Sequence, residues 1–254
     1  MSFKLGLQPP RPGAVKLRLA TYINWRELPV PNGDFGHSEL VSDWGMLGND
    51  QWGDCALAGP AHQTMLWTAE AGAQAPFTDA CVLQNYSDVT GFDPNAGPSG
   101  ENPTDQGTDV GQMAAFWRNT GMLDANGQRH KIVAYVDLTP GDLRELWAAT
   151  YLFQSVGLGF ALPESAQDQF ANGQPWDVVR GSKVVGGHYV PAVGRAGGNG
   201  IGVTWGKSQP FTPAFYRKYN NQGIVAFSEE MLINARSIDG FDDQLLRSDL
   251  GAFG

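Results

Sequence analysis

The sequence predicts an α+β protein: helices first, antiparallel strands later, in two lobes with a cleft between them. Three observations carry this. Residues 55–71, 78–89 and 108–121 space their apolar side chains as helices do. Residues 153–162, 183–194, 200–205 and 222–227 are short apolar runs bounded by Gly, Pro and Asn, the pattern of strands. Helices segregated from strands in this way indicate α+β rather than a succession of βαβ units, and 254 residues suffice for one large domain or two lobes.

Residues 1–43 are rich in Pro and Gly, with short apolar pieces such as 17–23, and read as an extended arm packed over the body. The helical lobe, 44–151, opens on Gly48-Asn49-Asp50-Gln51-Trp52-Gly53-Asp54-Cys55, a loop running straight into a helix. Asp54 is suited to cap that helix, and Pro60 falls near its first turn, where a missing N–H costs little. Cys55 would then meet the positive end of the helix dipole, which favours thiolate and makes a nucleophile. The second helix begins at Thr78-Asp79 and carries Cys81 on its apolar face, a structural position. Residues 91–107 form a loop long enough to suggest a surface or cleft role. Thr108-Asp109 caps the third helix, whose Met113, Phe116 and Trp117 read as core. Strand-like 131–136 leads to Thr139–Asp142, with Pro140 expected at the first position of a helix over about 140–151. The β-rich lobe, 152–254, follows. Glu229-Glu230, after Ser228, read as the acidic start of another helix.

Composition excludes several functions. The net charge is −9 with Lys and Arg scattered, which argues against a nucleic-acid partner. The chain is 42% hydrophobic and 17% charged, with no run long enough to cross a bilayer, so no membrane is expected. Residues 1–12 lack the apolar core of a signal peptide. Two cysteines are too few for a disulfide framework, so a reducing, cytoplasmic setting, or export by a route without a signal, is expected. The histidines at 37, 62, 130 and 188 never approach zinc-ligand spacing, no Lys-bearing phosphate loop occurs, and Gly194–Gly202 reads as a hairpin turn. No metal or organic cofactor is expected.

A base for Cys55 must come from elsewhere in the chain. His62 lies seven residues along the same helix, about 10.5 Å away, too far for a hydrogen bond and better placed as a satisfied core histidine. His188, early in the apolar run Gly186-Gly187-His188-Tyr189-Val190-Pro191-Ala192-Val193-Gly194, lies in the other lobe, roughly 130 residues beyond Cys55.

A helix-start cysteine, a helix over Val110–Gly121, the run Leu152–Leu162, a His-led strand ending in Val-Gly, and then Trp205-Gly206 occur here in one order. Across most of the chain that order resembles the papain-like cysteine peptidases. The resemblance implies a papain-like fold in which Cys55 is the nucleophile, His188 the base, and Trp205 shields the histidine. Asn49, six before Cys55, stands where the family has its oxyanion-hole Gln, and Gln51, four before, is the other amide; the Cys55 N–H would be a second donor. The family's Cys-Gly-Ser-Cys-Trp is replaced by Gly53-Asp54-Cys55-Ala56, whose Asp54 charge should raise the thiol pKa. Val203, two before Trp205, occupies the place of the family's Asn. Thr204, 16 residues beyond His188, is the candidate to orient the ring, with Gln209 as alternative.

The activity so implied is cleavage of a peptide or isopeptide/amide bond, with a peptide or protein as substrate, through a Cys–His dyad and an acyl-enzyme. The alternative is a papain-like fold with weak or lost catalysis, kept for binding or assembly, with the N-terminal arm embracing a neighbour. The arm could equally be a pro-segment. Trp44–Cys55 and Val203–Tyr219 also resemble uncharacterised papain-like proteins of bacteriophages and prophages, which implies a virion-associated location.

Overall fold

The computed structural model describes residues 3–22 and 32–228, so Ile23 and the Glu229-Glu230 pair lie outside the described residues. Its centre is α1 (Cys55–Glu70), whose residues 55–68 are all buried. The sequence spacing suggested one inward face. The helix is instead enclosed on every side, by the sheet and by α2 (Asp79–Thr90) and α3 (Val110–Asn119). Small residues permit this: a Cβ on Gly59 would overlap the ring of Tyr189 from the sheet. Pro60 is the sixth residue of α1, inside the helix rather than in its first turn, so the Ala56 carbonyl loses its intrahelical donor.

The remaining helices of the first half match their caps. Thr78 caps α2, accepting from the Cys81 N–H, and Cys81 is buried with its thiol hydrogen-bonded to the Thr78 carbonyl. Asp109 caps α3, accepting from the Gln112 N–H at 3.0 Å. His62 is buried, its Nε2 within 2.9 Å of the Trp44 carbonyl and 3.2 Å of the Gly45 carbonyl, as a satisfied core histidine should be.

The antiparallel sheet comprises seven strands among the described residues. β1 (Phe35–Gly36) comes from the arm, and the small hairpin of β2 (Met122–Leu123) and β3 (Arg129–His130) stands apart. The other sheet strands are β4 (Ile132–Asp137), β5 (Val156–Pro163), β6 (Val184–Ala196), β7 (Asn199–Thr204), β8 (Lys207–Phe211) and β9 (Asn220–Ser228), in the order β4-β9-β5-β6-β7-β8, with β1 on β6. β4 falls in the mainly helical half of the sequence yet pairs with β9.

The helix expected over 140–151 starts later. α4 (Leu143–Phe153) is capped by Asp142, which accepts from the N–H of Arg144 and Glu145, so Pro140 sits in the preceding turn. A carboxylate on two free amides outcompetes proline as the start of the helix. The sequence reading missed α5 (Glu164–Ala171), β8 and α6 (Pro213–Tyr219), although Thr212-Pro213 carries a cap signature, Thr212 Oγ1 accepting from the Phe215 N–H at 3.0 Å. One apolar core surrounds α1 on one side of the sheet. A second, rich in Phe and Trp, lies behind it between the sheet, α4 and α6.

Candidate active site

Cys55 is the first residue of α1 and its thiol is free but 1% exposed. The first turn is closed by the Asp54 carbonyl, which accepts from the Leu57 and Ala58 amides. The Asp54 side chain makes no cap, contrary to the expectation from sequence. It turns inward, fully buried, and accepts from Asn49 Nδ2 at 3.0 Å, while its other oxygen has no hydrogen-bond partner. Burial, with Asp105 and Asp79 nearby, holds its pKa well above the usual carboxylate range. A neutral acid satisfies that pocket better than an anion.

Of the two amides upstream of Cys55, Asn49 is buried and pinned by Asp54. Gln51 is exposed, and its backbone is what is engaged: its N–H donates to the Gly48 carbonyl at 3.1 Å and its carbonyl accepts from Ser99 Oγ at 2.5 Å. Gly53 is held from below: its N–H donates to Asp105 Oδ1 at 2.9 Å.

His188 lies on β6 opposite Phe160 of β5, and is fully buried. Its Nε2 is 2.6 Å from Thr204 Oγ1, while Nδ1 has no hydrogen-bond partner. Thr204 ends β7, and Trp205-Gly206 form the two-residue turn into β8, with φ of 47° and 73°. Such left-handed pairs match the twist of a hairpin, which places Trp-Gly here and fixes where Trp205 points. Its indole stacks on the His188 ring, centroids 4.6 Å apart. Val203 faces the other way into the core around α1, and Gln209 Nε2 donates to the Gln174 and Pro210 carbonyls, so neither serves His188. The next residue on β6, Tyr189, directs its backbone N–H at the Cys55 sulfur, which brings the histidine strand against the start of α1.

The arm passes through this junction. The Gly6 N–H also points at the Cys55 sulfur, and Thr108 donates to the Gly6 carbonyl at 3.0 Å. Leu7 N–H donates to the Gly187 carbonyl at 3.1 Å, and Gln8 N–H to the Thr108 carbonyl at 3.0 Å. Residues 6–8 therefore bond both to Thr108, just before α3, and to Gly187, the residue before His188 on β6. Phe3 stacks on Trp205 from the face away from His188, at 4.4 Å. The fit leaves no room for side chains: a Cβ on Gly6 would overlap the Gly53 carbonyl, and one on Gly187 the Leu7 carbonyl. Open volume, a cavity of about 560 Å³, lies further along the arm between residues 10–18, 109–111 and 221–224.

Sealing sets the electrostatics. Burial pushes the Cys55 thiol up to about 11, outweighing the amides of Tyr189, Gly6 and Ala56 that lower it; Asp54 adds to the rise only when it is ionised, which its own burial disfavours. Burial pushes His188 down to about 3. Burial thus favours the neutral thiol at Cys55 and the neutral imidazole at His188. The thiolate expected from the helix dipole is overridden, because desolvating a charge outweighs a half-charge at a helix end. Sequence reading missed three participants: Gly6, Tyr189 and Asp105. The only hints were a glycine between Leu5 and Leu7, and the position of Asp105 in the suspected cleft loop 91–107.

No family model matches the chain, and no curated protein matches it. Solved structures do. Xylellain, a cysteine protease from Xylella fastidiosa, is 11% identical with a TM-score of 0.60, covering 88% of this chain and 95% of its own. Procathepsin B S9 from Trypanosoma congolense is 13% identical with a TM-score of 0.58, covering 89% and 86%. The proform of Amb a 11, a ragweed pollen cysteine protease, is 14% identical with a TM-score of 0.54, covering 78% and 67%. The chain has the fold of the papain-like cysteine proteases.

Proposed function

We propose that this papain-like chain is a thiol hydrolase that cleaves a peptide or isopeptide bond through an acyl-enzyme. The observation that carries the reading is the His188–Thr204 hydrogen bond, beneath Trp205 and on a strand whose next amide is directed toward the Cys55 sulfur. With Nε2–H donated to Thr204, the lone pair of Nδ1 is free to take the thiol proton. Cys55 attacks the carbonyl carbon, and the imidazolium returns the proton to the leaving amine. Water, deprotonated by the same ring, then hydrolyses the thioester. Asn49 and the Cys55 N–H are the donors proposed for the oxyanion, a role worth ~10²–10³ in rate per donor. Residues 3–8 must leave for substrate to enter, so the arm acts as a strap that holds the enzyme closed.

A second reading is favoured by the same sealing: a nucleophile 1% exposed under an arm bonded to Thr108 and Gly187 suits a fold retained for assembly, on a virion for example. Alkylation by iodoacetamide separates the two. In the intact chain Cys55 should react slowly at pH 7–8. In a Gly6→Ala chain, whose arm cannot seat, Cys55 should react about tenfold faster or more, Cys81 should not change, and His188→Ala should cancel the gain. A fluorogenic peptide library should be turned over by Gly6→Ala and not by its Cys55→Ala derivative. Slow alkylation in Gly6→Ala, indifferent to His188, would leave the assembly reading.

A further inference from the structure

We propose that Asp105 is a recognition site for a cationic side chain, a lysine or arginine carried by the peptide that replaces the arm in the cleft. The inference rests on the cleft receiving peptide, as proposed above, and adds a chemical class of substrate.

The Asp105 side chain is fully buried, and its two oxygens have different tasks. Oδ1 accepts from the Gly53 N–H at 2.9 Å and the Tyr86 hydroxyl at 2.8 Å, and that hydroxyl accepts from the Gly107 N–H at 2.7 Å. These bonds tie the cysteine loop, α2 and the approach to α3 together on one cleft wall. Oδ2 takes no part in them and has no hydrogen-bond partner; it faces the ammonium of Lys4 at 3.4 Å. Lys4 belongs to the arm, two residues before the Gly6 amide that points at the Cys55 sulfur.

The structure thus contains a fixed, buried carboxylate oxygen and its occupant, a cation delivered by an extended segment crossing the nucleophile. When the arm leaves, that oxygen loses its cation. A buried carboxylate without a partner is strongly disfavoured, and a segment bearing a cation at the same place removes the penalty where a neutral one does not. Asp54, which interacts with Asp105, is itself an acid and does not compensate. A peptide following the arm's path would place its lysine or arginine two residues from the backbone lying over the thiol.

The test uses the full chain carrying Lys4→Met, which keeps the apolar stem and removes the competing cation. The probes are the hexapeptide Phe-Lys-Leu-Gly-Leu-Gln and its counterpart with norleucine for lysine, titrated calorimetrically. The lysine peptide should bind about tenfold tighter or more than the norleucine peptide. Adding Asp105→Asn, which preserves the acceptor for Gly53 and Tyr86, should erase that preference. The unsubstituted chain, with Lys4 in place, should bind the lysine peptide at least about tenfold more weakly than Lys4→Met does; this comparison decides even if the Asp105 variant does not fold. Equal affinity of Lys4→Met for the two peptides, or binding of neither, would overturn the proposal. Reporter amides with lysine or norleucine scanned along the peptide supply the second readout. A lysine preference in binding without cleavage would refute hydrolysis and leave the Asp105 site standing; cleavage indifferent to lysine would do the reverse.

Discussion

Thr204 and Asp54 each carry a role that can be isolated by one atom. Thr204→Val keeps the shape of the side chain and removes the hydroxyl beside His188 Nε2, leaving a buried ring nitrogen unpaired, a loss of about 1–3 kcal/mol. In the open enzyme kcat should fall about 10–100-fold with KM little changed, and Thr204→Ser should recover most of it; steady-state kinetics with a reporter peptide reads both. A fall in KM-dependent terms alone, with Ser no better than Val, would assign Thr204 to packing. Burial pushes the Asp54 pKa well above the usual carboxylate range, which favours its uncharged form, and Asp54→Asn puts an uncharged hydrogen-bonding group of the same shape in its place. The pH profile of Cys55 alkylation should therefore stay in place. A shift toward lower pH would mean that Asp54 is ionised and opposes the thiolate.

At the scale of elements, the two-residue hairpin Trp205-Gly206 stacks an indole on His188 and holds the Thr204 hydroxyl at its Nε2, one residue along from Val203, which the sequence resemblance aligned with the family's Asn. Thr204 and Val203 alternate across β7, so only one of them can reach His188. The sequence left this register open, and the pairing of Thr204 with Lys207 closes it. The arm is the second such element. Its Pro-rich composition identified it as extended chain, while its course depends on four glycines (6, 53, 107 and 187) being empty at the same crossing. In Gly187→Ala the arm and β6 would collide, and the expected outcome is a faster-alkylated Cys55 together with a lower melting temperature, both measured on the full chain.

For the whole molecule, burial of histidine links folding to pH. His62 has its pKa pushed down to about 4 by burial, against an ordinary value near 6.5. The unfolded chain binds a proton below that ordinary value and the folded chain does not. The stability contributed by neutral His62 is thus complete above about pH 6.5 and is lost as pH falls toward 4, on the order of 3 kcal/mol in all. Urea unfolding of the parent and His62→Gln at pH 7 and pH 4.5 checks this: the parent's advantage should shrink with acid. An advantage independent of pH would show that His62 is not the group that titrates.

The sequence by itself determined the α+β, papain-like class, the helices that carry Cys55, Cys81 and Met113, and the caps at Thr78 and Asp109. These rest on local periodicity, capping chemistry and a long-known order of motifs, all of which are written in neighbouring residues. The tertiary structure alone decided the rest. Whether Asp54 caps or turns inward, whether Thr204 or Gln209 meets His188, whether the thiol is charged, and where Lys4 lies depend on what is buried against what. Desolvation and close approach between segments distant in sequence set those outcomes, and neither has a local signature.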